Sequence, residues 1–385
     1  VSKEDSIVPL KMLLFCFHAA NTIIVSFMPL LLQYKGLSGQ EIGWVLAIGP
    51  LVSIFSQPFW GFMSDKYQTV KRILSFCLVG LLVSSTVFFQ MNSLTLLLMM
   101  AGVFFFFTAP IGALGDSLSQ RRADQLGISF GTIRTWGSIG FAISSLVIGQ
   151  ILSHFGIQYM LIPYLILGTA ALLVSFRLTD VKVDTPPIQL GDVKQLLRNT
   201  PFIIFLILIM FITITHRAND SFLGIYIDHL GGSESLIGFA WFAGVAGEAI
   251  IFATAGKWFR KYHPLIFIIV AGLLFAVRWS IYAVIEDPVY IVLLQVLHGL
   301  TFGVFYLAAF QYVTRLIPKM IQSTGHLVFV SIFFGLSGIV GSLLGGELID
   351  SLGGGYLYGT MAVMALVGSI LITVYHFLPF GKTIR

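Results

Sequence analysis

Apolar runs of about 20 residues recur from one end of this 385-residue sequence to the other. Each is long enough to cross roughly 30 Å of hydrocarbon as a helix. Twelve spans can be placed, at about 7–34, 39–63, 73–91, 94–119, 126–153, 158–177, 201–227, 233–256, 264–285, 288–314, 321–348 and 356–377. Little chain is left over for a soluble domain. Hydrophobic residues are 57% of the chain, charged residues 10%, and phenylalanine alone contributes 35 positions, far from the balance of a soluble globular protein. The expected fold is an all-α integral membrane protein.

The placement of charge tests that count, because loops on the cytoplasmic side are enriched in Lys and Arg. Of 22 basic residues, only Lys35 falls on the other side; Arg134, Arg217 and Arg278 lie inside spans, and the remaining eighteen share one side. Both termini are therefore expected in the cytoplasm, with an even number of spans. The net charge of +5 follows from this asymmetry and needs no nucleic-acid partner. Val1 to Pro9, with Lys3, Glu4 and Asp5, leads into a full-length span without a small-residue cleavage site, and reads as a cytoplasmic tail. Cys16 and Cys77 both sit in apolar runs and read as structural thiols, with no disulfide framework or metal spacing.

The longest polar segment, Thr179 to Thr200, contains Pro186, Pro187 and Gly191 and follows the sixth span. The expected organisation is a six-helix bundle over 1–177, a cytoplasmic linker over 178–200 and a second six-helix bundle over 201–385. Two-fold repetition of this kind marks secondary transporters, whose halves rock about a site near the bilayer midplane.

Trp241 to Thr301 places Glu248, Arg278 and His298 inside segments that otherwise read as apolar helix. A charge near the bilayer centre costs several kcal/mol, so such residues face a protein interior or a watery path and find partners. Across the chain three acidic residues, Asp116, Asp220 and Glu248, lie within or near the ends of spans, matched by Arg134, Arg217 and Arg278. In a bundle core, pairing offsets desolvation, and a proton taken up by one member alters its neighbours. Arg217 and Asp220, three residues apart, share a helix face, so a local ion pair and a solute contact both fit them. Asn21 and Gln57 read either as cavity-lining groups or as interhelical hydrogen-bonding groups. Glycine stripes at 335, 338, 341 and 345 and at 131, 137 and 140 allow close helix approach. No phosphate-cradling loop, zinc spacing or nucleophile elbow is present, so neither an ATP-driven pump nor an enzyme is expected, and no cofactor.

Gly61-Phe62-Met63-Ser64-Asp65-Lys66, followed by Lys71 and Arg72, resembles the signature loop of the major facilitator superfamily, a glycine and an aspartate four residues apart before a basic cluster. The glycine after the Asp-Lys pair is missing, and the matching loop of the second half, Gly256 to Lys261, lacks the aspartate. The resemblance implies a gating latch in which Gly61 permits close helix approach and Asp65, beside Lys66, pairs across the halves. The run Phe130 to Phe141 around Arg134, with Asp116 eighteen residues earlier across a basic turn containing Arg121 and Arg122, resembles the branch holding the lactose permease and the phenylpropionate and nucleoside proton symporters. Helix rise puts Arg134 roughly 12 Å into its span. In the second half, Gly247-Glu248-Ala249, Val277-Arg278-Trp279 and Leu297-His298-Gly299-Leu300-Thr301 look most like the phenylpropionate group.

That resemblance implies substrate-binding roles for Asp116, Arg134 and Glu248, with Phe141 in place of a stacking tryptophan, and proton-coupling roles for Arg278 and His298. The permease's proton-carrying carboxylate falls on Thr301, which cannot ionise, so coupling is expected to move to Glu248 or Asp116 or to be absent. The expected protein is a monomeric twelve-helix carrier in the cell membrane, with two pseudo-symmetric bundles, that takes up a small organic solute (a sugar, nucleoside or aromatic carboxylate) together with a proton. Alternatives are a proton-coupled exporter of lipophilic compounds, which the in-span arginines disfavour for cationic cargo, and a non-transporting receptor on a carrier fold.

Overall fold

The computed structural model describes residues 7–181, 196, 198–259, 262–318 and 321–378. The tail residues Lys3, Glu4 and Asp5, the linker residues Pro186, Pro187 and Gly191, and the basic residues Lys182, Lys194, Arg260, Lys261, Lys319, Lys382 and Arg385 lie outside the described residues, as does the side chain of Lys257. Among the described residues, twelve helices are long and apolar enough to cross a membrane. They are α1 (Val8–Tyr34), α2 (Gly39–Lys66), α3 (Val70–Phe88), α4 (Leu94–Leu126), α5 (Gly131–Phe155), α6 (Ile157–Ser175, opening with a 3₁₀ turn), α7 (Thr200–His229), α8 (Glu234–Trp258), α9 (Pro264–Tyr282), α10 (Pro288–Leu316), α11 (Thr324–Ser351) and α12 (Gly354–Phe377).

Local chemistry sets where these helices begin. Ser38 and Glu41 form a reciprocal capping box at α2: the Glu41 amide donates to Ser38 Oγ and the Ser38 amide to Glu41 Oε2, 2.9 Å away. Thr69, Ser93, Asn199 and Asp287 accept from the first free amides of α3, α4, α7 and α10. Pro201, Pro264 and Pro288 stand in the first turns of α7, α9 and α10, where a missing N–H costs nothing.

One boundary departs from expectation. Arg121 and Arg122 do not form a turn; they continue α4 to Leu126, where Gly127 adopts φ +66° and stops the helix. Arg122 is buried there and donates to the Thr179 carbonyl, tying down the chain after α6. Helix α5 therefore starts only at Gly131. Asp116 lies ten residues before the end of α4, about 15 Å inside it, whereas Arg134 sits in the first turn of α5, about 4.5 Å in and not 12 Å.

The chain forms two compact units, Val1–Thr185 with Gly232–Phe242, and Pro186–Gly231 with Ala243–Arg385. Helix α8 gives its first turns to one unit and the rest to the other. Each unit repeats one packing scheme. In the first, α1 lies on α5 and α6, α3 on α4 and α6, and α2 on α4; in the second, α7 lies on α11 and α12, and α9 on α10 and α12. The match of α2 on α4 is α8 on α10, where Gly247 and Gly299 meet backbone to backbone: a Cβ on Gly299 would collide with the Gly247 carbonyl and lie 2.9 Å from the Glu248 nitrogen. The sides of the helices turned away from these seams carry exposed Phe55, Val83, Met99, Ile166 and Leu173, an apolar surface suited to lipid.

Lys35, the exception to the charge asymmetry, is held by three acceptors. Its ammonium donates to the carbonyls of Phe89 and Met91, at 2.7 and 2.6 Å, and to Asn92 Oδ1 at 3.1 Å, which fixes the α3–α4 loop. Burial lowers its pKa from the ordinary lysine value, and those acceptors offset the loss of water around the charge.

Helices α10 and α11 are each interrupted by a π turn, at Gly299–Gly303 and Ser331–Leu336. The rings of Phe302 and Phe333, one from each turn, meet edge to face at 6.0 Å. Such turns concentrate at functional sites because they displace side chains from ordinary helical positions.

Candidate functional site

In the first unit, Asp116 on α4 and Arg134 on α5 form an ion pair, with Arg134 Nε 3.1 Å from Oδ1 and 3.3 Å from Oδ2, the oxygen to which it donates. His18 on α1 completes the group. Gly137, one turn beyond Arg134, leaves the space in which they meet: a Cβ there would stand 2.7 Å from Arg134 Nη1 and 3.1 Å from His18 Nε2. His18 Nε2 is buried without a hydrogen-bond partner among the described residues. Asn21, half-buried, lies three residues further along α1. The ion pair is only partly enclosed, the side chains of Arg134 and Asp116 being 33% and 36% exposed.

Phe141 adds an apolar wall. Its carbonyl accepts from Thr22 at 3.2 Å, which binds α5 to α1, and its ring meets Trp241 edge to face at 5.9 Å. Position 141 lacks the tryptophan of the resembling permease, yet an indole stands beside it, contributed by the early turns of α8.

The second unit holds a denser polar group. Arg217 Nη1 donates to Asp220 Oδ2 at 2.6 Å, the i,i+3 pair that the spacing allows. His216 Nε2 lies 3.5 Å from the same oxygen. The His216 ring stacks on Phe302 at 4.4 Å and stands 5.5 Å from the ring of His298, so α7 and α10 meet through two imidazoles. His298 in turn lies against α8, its Cγ 3.5 Å from where a Cβ of Gly244 would be.

Arg278 on α9 is 1% exposed. Its guanidinium donates to Thr301 Oγ1 at 3.1 Å, to the Tyr282 hydroxyl at 3.1 and 3.3 Å, and to Gln295 Oε1, and it lies over the ring of Trp279 at 4.9 Å. Neutral groups therefore hold this cation, a costly arrangement that full hydrogen bonding makes tolerable. Thr301 joins the two groups, for its hydroxyl also reaches the carbonyls of Leu297 and His298 at 3.1 Å. Glu248 follows Gly247 at the α8–α10 crossing and is half-buried.

The structure thus brings together Asp116 with Arg134, and His298 with Arg278 through Thr301. Gln57 is exposed and donates to the Ala109 carbonyl at 3.3 Å, an interhelical bond. Asp65 pairs with Arg121 at 3.5 Å within its own unit, and nothing described lies within 4 Å of where a Gly61 Cβ would be. Lys66 is exposed, its ammonium 5.7 Å from the Tyr67 ring. Sequence reasoning missed His216, Gln295 and Tyr282. The first had a signal, because His216, Arg217, Asn219 and Asp220 are four polar residues within five positions of an apolar span.

Over 370 aligned residues the chain is 28% identical to the probable 3-phenylpropionic acid transporter of Escherichia coli (strain K12), covering 93% of this chain and 94% of that one. It is also 28% identical to the maltose permease of Geobacillus stearothermophilus, over 87% of this chain and 86% of the permease. The crystal structure of the nucleoside transporter NupG superposes with a TM-score of 0.85 at 16% identity, over 97% of this chain and 99% of the other, which shows a common fold. Residues 7–359 match the model of the MFS_1 like family. With twelve spans, a twice-repeated packing scheme and charged groups set inside the helices, the chain belongs to the MFS_1 like family of the major facilitator superfamily and is a multi-pass membrane transporter.

Proposed function

We propose that this transporter carries a small organic solute (a sugar, nucleoside or aromatic carboxylate) inward together with a proton, by alternating access of two six-helix halves, 1–177 and 201–385, joined by the linker 178–200. The observation that carries this reading is the Asp116–Arg134 pair: an ion pair set on helices of membrane-spanning length, yet one-third exposed, offers a polar solute both a carboxylate and a guanidinium. Asn21 and Phe141 supply hydrogen-bonding and apolar surface beside it, and Glu248 adds a second carboxylate. Arg278 and His298 tune the proton affinity of the acidic residues, and Gly61, Asp65 and Lys66 act in gating. The protein works as a monomer in the cell membrane with both termini in the cytoplasm, as the distribution of basic residues indicates.

The test uses purified protein in liposomes with a trapped pH dye. Maltose, uridine and 3-phenylpropionate are added in turn, with Glu248→Gln and Asp116→Asn variants in parallel and protein-free vesicles as a control for weak acids that cross lipid unaided. Solute-dependent acidification of the interior supports proton symport. Counterflow of labelled solute without acidification rejects the proton and leaves a uniporter or sodium-coupled carrier. No exchange of any of the three rejects the proposed solute class.

A further inference from the structure

Asp220 differs from the other acidic groups near the spans in how completely it is enclosed. Its side chain is 11% exposed, against 36% for Asp116. One oxygen, Oδ2, takes both Arg217 Nη1 and the approach of His216 Nε2; the other, Oδ1, is buried without a hydrogen-bond partner among the described residues. A carboxylate normally gathers donors at both oxygens, so a buried oxygen with none is where a proton fits best. His216 Nδ1 is likewise buried and unpartnered among the described residues, and the His216 ring stands 5.5 Å from that of His298.

The groups around this carboxylate are cationic or neutral. Arg217 and His216 stand on its own helix; α10 presents His298; α12 presents Tyr358, whose hydroxyl donates to Asn219 at 3.1 Å; and α11 presents Ser337 and Ser342, bonded to Thr213 and Ser221. Arg278 on α9 lies within electrostatic range, while Glu248 stands on α8, which packs against α10. Arg217 is the more accessible partner, 24% exposed, with its guanidinium 5.6 Å from the Phe334 ring.

We infer that Asp220, clamped by Arg217 and linked through His216 to His298, is the carboxylate that carries the coupled proton, and that Arg217 is the arm through which an anionic or hydrogen-bond-accepting solute controls it. This rests on the proposed proton symport. When a solute group draws Arg217 away, Asp220 is left enclosed without its counter-charge, and a buried lone carboxylate favours the neutral acid. By way of the two imidazoles the proton reaches Oδ2, which His216 Nε2 faces and Arg217 has vacated, and rotation of the carboxyl brings it to the unpartnered side. When the solute leaves, Arg217 returns and the proton departs by the same route. Solute and proton therefore bind together and leave together, and for a monoanionic solute the step adds no net charge.

A solute-free measurement tests the assignment. Infrared difference spectra of the purified protein are recorded through a pH titration, and the carbonyl stretch of a protonated, water-shielded carboxyl is followed in the wild type, Asp220→Asn, Asp116→Asn and Glu248→Gln. The expected result is one titrating band that is lost in Asp220→Asn and kept in the other two. Arg217→Gln, which removes the counter-charge and keeps the acid, moves the midpoint to higher pH by about one unit or more. A band that survives Asp220→Asn, a band lost in either of the other variants, a midpoint unmoved by Arg217→Gln, or no titrating band at all overturns the assignment. Because no solute is present, failure here is separate from failure of the liposome experiment: acidification there with no Asp220 band here leaves symport standing and moves the proton elsewhere.

Discussion

Two glycines in the π turn of α10 respond in opposite directions to the same added methyl group. At Gly299 a Cβ would strike the Gly247 carbonyl and crowd the Glu248 nitrogen at 2.9 Å, both backbone atoms that no rotamer change can remove. Overpacking of this kind costs about 1–3 kcal/mol, and since α8 must shift as a whole the upper part of that range applies. The gain in helix propensity of alanine over glycine, up to about 1 kcal/mol, offsets part of it, leaving Gly299→Ala destabilised by about 1–2 kcal/mol. At Gly303, four residues on, the nearest atom to a Cβ is Ile251 Cγ2 at 3.4 Å, an ordinary contact with a side chain. Gly303→Ala therefore keeps most of the propensity gain and is stabilised by a few tenths of a kcal/mol up to about 1. The assay is thermal unfolding in detergent followed with a thiol-reactive dye, for which the fully buried Cys77 is a built-in reporter. Opposite shifts of the midpoint support the geometry of the α8–α10 crossing. A Gly299→Ala midpoint at or above that of the wild type refutes it, because the backbones then cannot be in contact.

Gly137→Ala displaces the Arg134 guanidinium and the His18 ring, so exchange of whichever solute the liposome panel identifies is expected to fall tenfold or more on the order of one lost charge-assisted contact; Gly102→Ala, into open space, is expected to leave exchange unchanged. Lys35→Met removes all three bonds to the α3–α4 loop and is expected to cost about 1–2 kcal/mol, with faster amide hydrogen exchange over 89–92 read by mass spectrometry. Exchange there at the wild-type rate refutes the clamp. Ser38→Ala breaks the capping box and should cost about 1 kcal/mol of thermal stability, with Ser38→Thr retaining most of it.

The twelve spans were legible because each is a long apolar run between polar segments, and hydrocarbon thickness fixes its length. The Arg217–Asp220 pair was legible for a local reason, since three residues make nearly one helical turn. The end of α4 was not: Gln120, Arg121, Arg122, Asp124 and Gln125 have the composition of a loop, while the glycine that stops the helix comes only at 127. Proximity between His216 and His298 arises from the packing of helices more than 80 positions apart in the chain, which no periodicity encodes. The gating role read from Gly61 and Asp65 rested on a sequence pattern, and the contact that Asp65 makes, with Arg121, depended on the unread extension of α4.

The π turn at Gly299–Gly303 amounts to one extra residue threaded into α10. A single insertion rotates everything beyond it by about 100° relative to an unbroken helix. A helical wheel drawn straight through α10 nonetheless keeps Ile291, His298, Phe302, Ala309 and Tyr312 on one buried side, because the 3₁₀ turn at Gln295–Leu297 overwinds the helix just before the π turn underwinds it. The extra residue also ties the two parts of the helix together: Phe302 stacks on His298 on one side and on Tyr306 on the other, at 5.2 and 5.6 Å. Deleting one position within the turn would leave a regular helix in which His298 and Tyr306, then seven positions and two turns apart, still share a side, so the loss falls on the side chains of the turn itself, a lesion invisible to hydropathy.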